Sequence, residues 1–162
     1  MKLIPADVSN FLDYNPETGD FIWLKNRKGG VKKGDIAGCV CTNGYRYIVF
    51  NMDHFLAHRL AWFFVYGEDA GSFLDHANGI PTDNRIANLR KASHTQNRGN
   101  QRIRKDSLTG YKGVTKVKNG WRARIKIYGK FKYLGVFPSP QVAHAAYCRA
   151  AVELFGEFAR AA

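Results

Sequence analysis

Residues 74–97 read LDHANGIPTDNRIANLRKASHTQN, a polar run between segments rich in apolar residues. Phe73–His76 predicts a short strand, the Asn78-Gly79 pair a turn, and the stretch through Pro81, Asp83 and Asn84 a loop. A second short strand is expected near Leu89–Ala92. Ser93 and Gln96 then have the spacing of a helix capping box, which places Asn97 one turn into a helix. The order is strand, loop, strand, helix.

Upstream, Val8 to Asn51 alternates short apolar or aromatic runs (FLDYN, DFIWL, YRYIVF) with turn clusters, the pattern of β-hairpins. From Ala57 the apolar residues Leu60, Ala61, Phe64 and Val65 fall on one helical face, and Gly67 ends that helix. Downstream, residues 98–108 are polar and basic, as in a linker. Three strand-like runs follow, Tyr111–Lys118, Trp121–Tyr128 and Phe131–Phe137, broken at Asn119-Gly120 and Gly129-Lys130. Ser139-Pro140 reads as the cap and first residue of a helix. In it Ala143, Ala146, Tyr147, Ala150, Ala151, Leu154 and Phe155 form one apolar stripe.

The chain has 162 residues, enough for one domain or two small ones and too few for a large multidomain enzyme. With 45% hydrophobic residues it can build a core. There are 25 Lys+Arg against 13 Asp+Glu, a net +12, which predicts a polyanionic partner. Residues 101–162 hold 13 basic and 3 acidic side chains, so nearly all of the excess lies in the C-terminal third. Cys39, Cys41 and Cys148 make neither an even disulfide framework nor a paired zinc set. Neither a signal peptide nor a membrane span is legible, and a cytoplasmic protein is the expectation.

Phosphodiester hydrolysis needs a base for water, a hard cation to offset charge on the phosphate, and something to hold the base in place. Asp75, His76, Asn88 and Asn97 supply those types: carboxylate and amide oxygens suit Mg²⁺ or Mn²⁺, and a neutral imidazole accepts a proton near pH 7. Strand alternation puts Asp75 and His76 on opposite faces, unless the strand ends or bulges there. His58 is read as a packed, hydrogen-bonded histidine supporting the site, His54 as hairpin surface, and His94 carries no assigned role.

In Trp121–Ile127, alternation sends Arg122, Arg124 and Lys126 to one face and Trp121, Ala123, Ile125 and Ile127 to the other. The apolar face meets the helix and the basic face is free, with Lys112, Lys116, Lys118, Lys130 and Lys132 adding to the field. Such a sheet can enter the major groove.

The run LDHANGIPTDNRIANLRKASHTQN resembles the core of phage HNH endonucleases of the ββα-metal class, in the variant whose third letter is asparagine. The YNPETGDFIW and AHRLAW segments resemble the same group. The resemblance implies one divalent metal (Mg²⁺ or Mn²⁺) on Asp75 and Asn97, His76 as general base, and Asn88 orienting its imidazole. Arg85 and Arg90 are candidates for the scissile phosphate or its neighbours. Residues 109–159, with YKGVTKVKNGWRARI, KYLGVF and SPQVAHAAYCRAAVELFGEFA, are similar to the plant Apetala/ethylene-response-factor type of DNA-binding domain. By that similarity Lys112, Arg124, Lys126 and Tyr133 face DNA, though packing remains open for Tyr133, beside Phe131 and Gly135. Thr115, Arg124 and Tyr133 depart from the plant pattern, so the plant recognition sequence does not carry over.

The expectation is an α+β protein. A ββα-metal HNH nuclease core with N-terminal β-hairpins (1–101) precedes a basic linker (102–108) and a three-stranded antiparallel sheet packed on one helix (109–162). Its partner is double-stranded DNA, with no membrane and no small-molecule substrate, and a monomer is the default. A homing-type endonuclease that nicks or cuts both strands is one reading. A non-catalytic DNA-binding regulator on a decayed HNH scaffold is the other.

Overall fold

The computed structural model describes residues 3–71, 73–103 and 107–160. Part of the expected linker, residues 104–106, lies outside them. Two compact units divide the chain, residues 1–91 and 92–162.

In the first unit, β1 (Leu12–Tyr14) and β2 (Phe21–Trp23) form an antiparallel hairpin whose alternate residues Leu12, Tyr14, Phe21 and Trp23 are buried. β3 (Cys39–Val40), β4 (Arg46–Phe50) and β5 (Asp53–Leu56) make a three-stranded antiparallel sheet. Asn51 and Met52, both at positive φ, turn β4 into β5. Cys39 and Cys41 are exposed, so they contribute nothing to the core.

α1 (Ala57–Tyr66) buries Ala57, His58, Leu60, Ala61 and Trp62, and Gly67 in the left-handed region closes it, as the sequence predicts. β6 (Phe73–His76) pairs with β7 (Leu89–Ala92) across a loop that ends in a single 3-10 turn, Ile86–Asn88. The core of this unit is a cluster of aromatic and aliphatic side chains from the hairpin, the sheet and α1, with Leu74 and Leu89 from the β6–β7 pair.

The second unit opens with α2 (His94–Asn100). Its capping box is complete: the Gln96 backbone N–H donates to Ser93 Oγ at 3.2 Å, and the Ser93 N–H donates to Gln96 Oε1 at 2.8 Å. α2 packs with α3 (Pro140–Phe155), where a Cβ at Gly99 would lie 2.8 Å from the Phe155 ring. The helix expected to complete the first domain thus groups with the C-terminal unit.

β8 (Val114–Val117), β9 (Gly120–Ile127) and β10 (Lys130–Phe137) form an antiparallel sheet in the order β10-β9-β8, with α3 packed against it. β8 starts three residues later than expected. Gly113 has φ +73, and a Cβ there would stand 2.2 Å from the Tyr147 ring, so the chain must turn at this point. The turns are Lys118-Asn119 and Tyr128-Gly129, one residue before the expected pairs. At the second, Tyr128 and Gly129 both have positive φ, as a two-residue hairpin turn demands. α3 buries Ala143, Tyr147, Ala150, Ala151 and Phe155, whereas Leu154, expected in the stripe, is exposed.

Candidate functional site

Asp75 and His76 close β6 and are both buried, at 4% and 5% exposure. Strict alternation would have put one of them outward. The strand ends at His76, and the Ala77 N–H donates to the Asn88 carbonyl at 2.9 Å, so the pleat no longer dictates the side-chain faces.

Asp75 Oδ2 accepts from Arg90 Nε at 3.0 Å, and Arg90 Nη2 lies 2.9 Å from the same oxygen. Arg90, a candidate phosphate contact, is engaged with the candidate metal ligand. Arg85, the other such candidate, donates to Asp83 through Nε and Nη2 at 2.8 and 2.6 Å. Those bonds hold the Asp83 carboxyl down at about 2.

His76 Nε2 lies 3.2 Å from Asn84 Oδ1. Asn88, expected to orient this imidazole, binds the loop instead. Its Oδ1 accepts from the Asn78 backbone N–H at 3.0 Å, and its Nδ2 donates to Asn78 Oδ1 and to the Asp83 carbonyl, at 3.1 and 2.8 Å. The buried Asn88 amide thus pairs with backbone groups at two points of the loop, the Asn78 N–H and the Asp83 carbonyl.

The His58 ring meets the His76 ring edge-on, centroids 5.1 Å apart, and the Tyr45 ring touches both, at 5.4 Å from His58 and 5.9 Å from His76. Burial, then the neighbouring His76 and Arg59, push the His58 pKa down to about 3. Burial also lowers that of His76, against the opposing pull of the Asn84 bond and of Asp75 and Asp83. His76 is therefore a neutral imidazole at pH 7, the form a general base requires. His58 is packed as expected, against the rings of His76 and Tyr45, and His54 is exposed, also as expected. Asn84 and Tyr45 carried no legible signal, because an asparagine in a polar loop and a tyrosine in a hairpin turn are both ordinary.

Asn97 lies half-buried on α2, in the second unit. Among the described residues no group of three or more His, Cys, Asp and Glu is placed to hold a metal ion.

In the second unit, Arg122, Arg124 and Lys126 stand on the face of β9 away from the buried Ala123 and Ile125, as alternation predicts. Phe131 pairs with Lys126 and Tyr133 with Arg124, so both aromatics share that face. They are 58% and 63% exposed. The Arg124 guanidinium lies 4.1 Å and the Lys126 ammonium 5.3 Å from the Phe131 ring centre. Phe131 is thus no core residue; the irregularity between Tyr133 and Gly135 resets the phase, and Leu134 packs inward.

Three other expected DNA contacts lie elsewhere. Lys132 pairs with Ile125 and Lys116 with Trp121, which puts both on the helix-covered face, Lys116 with its ammonium 4.6 Å from the Trp121 ring centre. Lys112 Nζ donates to the carbonyls of Gly99, Gln101 and Arg160 at 2.7, 2.6 and 3.2 Å. Burial lowers its pKa to about 8. It ties the Gly99–Gln101 segment of its own unit to the backbone at Arg160.

Asp75 and His76 thus place a buried carboxylate and a buried imidazole side by side at the end of β6. Residues 55–98 match the HNH endonuclease family model, and that match suggests a nuclease or DNA-binding function for this segment, with DNA as the substrate. HNH nucleases generally use a divalent metal. None of the curated proteins or solved structures compared with the chain matches it. No helix among the described residues is long and apolar enough to cross a membrane.

Proposed function

We propose that this chain is a divalent-metal-dependent endonuclease that hydrolyses phosphodiester bonds in duplex DNA. The observation that carries the reading is the Asp75–His76 pair: a buried imidazole held neutral, next to a buried carboxylate, inside the HNH segment. His76 takes a proton from water, which attacks phosphorus in line and displaces the 3′ oxygen. Asn88 keeps the loop between β6 and β7 folded around that histidine.

The Asp75 carboxylate and the Asn97 amide are hard oxygen donors that suit Mg²⁺ or Mn²⁺. A cation held there would offset charge on the phosphate and on the departing oxygen. The only carboxylate in this proposed set is Asp75, which favours one metal over two. Phosphate contacts on the open face of the second unit come from Arg122, Arg124 and Lys126, with Phe131 and Tyr133 beside them, in the manner of the Apetala/ethylene-response-factor type of domain. A homing-type enzyme that nicks as a monomer is the default form of this reading.

The Arg90 guanidinium on Asp75 Oδ2 favours a second reading, since it supplies the positive charge that a cation would bring. That is the regulator on an HNH scaffold. Conversion of supercoiled plasmid or source genomic DNA to nicked and linear forms separates the two. Cleavage in Mg²⁺ or Mn²⁺ that stops in EDTA and in His76→Ala supports the nuclease. Salt-dependent binding with all DNA left intact in either metal supports the regulator.

A further inference from the structure

We propose that Asn84 is the positioning residue for His76, fixing the tautomer with hydrogen on Nε2 and leaving Nδ1 as the proton acceptor. This rests on the reading of His76 as general base. Asn84 Oδ1 can only accept, so at 3.2 Å the imidazole nitrogen facing it carries the hydrogen. Asn84 is itself fixed. It is 1% exposed, and its backbone carbonyl accepts from the buried Tyr14 hydroxyl at 2.7 Å. Gly19 presses on its backbone so closely that a Cβ there would lie 2.6 Å from the Asn84 carbonyl carbon. The Ile86 N–H donates to the Pro16 carbonyl one step further on. The β1–β2 hairpin is therefore a brace: it holds Asn84, Asn84 holds one edge of the imidazole, and the His58 and Tyr45 rings pack against its body. Asn84 Nδ2 is buried without a hydrogen-bond partner, a cost the site bears to keep that acceptor in place.

The test is two-bond ¹H–¹⁵N NMR of His76 at pH 8, assigned with His76→Gln, in wild type, Asn84→Asp and Asn84→Leu. Wild type and Asn84→Asp, which keeps the acceptor, should show hydrogen on Nε2, and Asn84→Leu a mixture of tautomers. The His54 and His94 signals report whether each variant is folded. In plasmid cleavage Asn84→Leu should lower kcat on the order of 10²-fold at little cost in KM, with Asn84→Asp recovering part of it. Hydrogen on Nδ1 in the wild type, or an unchanged tautomer in a folded Asn84→Leu, overturns the assignment. A wild type with the expected tautomer and no cleavage in any metal counts against the nuclease reading alone.

A separate surface supports a second inference. Between β2 and β3 the chain carries Lys25, Arg27, Lys28, Lys32 and Lys33, five of the seven basic residues in positions 1–50. Arg27 and Lys25 are pinned: the Arg27 guanidinium lies 4.0 Å from the Trp23 ring centre and donates to the Val49 carbonyl, and the Lys25 ammonium lies 4.3 Å from the Phe11 ring centre. Lys28, Lys32 and Lys33 are exposed. Asp35, the acid of this loop, has its Oδ2 on the Lys32 backbone N–H rather than on an ammonium. We infer that this loop is a duplex-DNA backbone contact belonging to the first unit, distinct from the β9–β10 face. Removing three phosphate contacts should flatten the plot of log K against log salt by about 2 to 3. Lys28, Lys32 and Lys33 all changed to Gln should do that on a duplex, with unchanged thermal unfolding. An unchanged slope overturns the inference, whether or not the protein cleaves.

Discussion

His58 gives the sharpest quantitative expectation. It is 6% exposed on α1, against the rings of His76 and Tyr45, with its pKa lowered to about 3 from an ordinary 6.5. Between those two values the unfolded chain binds a proton that the folded chain refuses. Stability therefore stands in full above pH 6.5 and is lost as pH falls toward 3. The limiting slope is about 1.4 kcal/mol per pH unit, so about 2 kcal/mol should go between pH 6.5 and 5. His76, lowered in the same direction, adds to the loss. His58→Phe keeps a ring in the packing and removes the titration. Urea unfolding from pH 5 to 8, in a Trp121→Phe background so that Trp23 and Trp62 of the first unit are the fluorescent reporters, compares the two. The wild-type curve should fall away from the His58→Phe curve below pH 6.5. Parallel curves through pH 5 would refute a neutral, buried His58.

Lys112→Gln should cost about 2 kcal/mol, because carbonyls of Gly99, Gln101 and Arg160 lose a charged donor; chemical denaturation measures that, and the salt slope of DNA binding should not move. Arg124→Ala should instead leave folding nearly intact and reduce that slope by about 1 in fluorescence anisotropy titrations. Ser93→Ala removes one half of the capping box and should destabilise the second unit by about 1 kcal/mol in thermal unfolding. Gly19→Ala should lower both stability and cleavage, since φ is +79 and the new Cβ would lie 2.5 Å from the Arg85 backbone nitrogen; circular dichroism and the plasmid assay read the two effects.

Periodicity and end signals made much of this protein legible in its residues alone. The 3.6-residue spacing of Leu60, Ala61 and their neighbours, the left-handed Gly67 and the Ser93–Gln96 box are local devices, and local chemistry suffices to read them. Alternation likewise assigned Arg122, Arg124 and Lys126 to one face, because every residue of β9 keeps the pleat. Wherever a role depended on a partner distant in the chain, tertiary structure decided. Asn84 and not Asn88 meets His76, since loop closure and the Tyr14 hydroxyl, seventy positions away, determine which amide faces the ring. Lys112 looked like any other lysine of a basic run until three carbonyls from residues 99, 101 and 160 closed on it. Lys116 and Lys132 changed faces with the strand register, a quantity set by pairing with β9 and invisible in either strand alone.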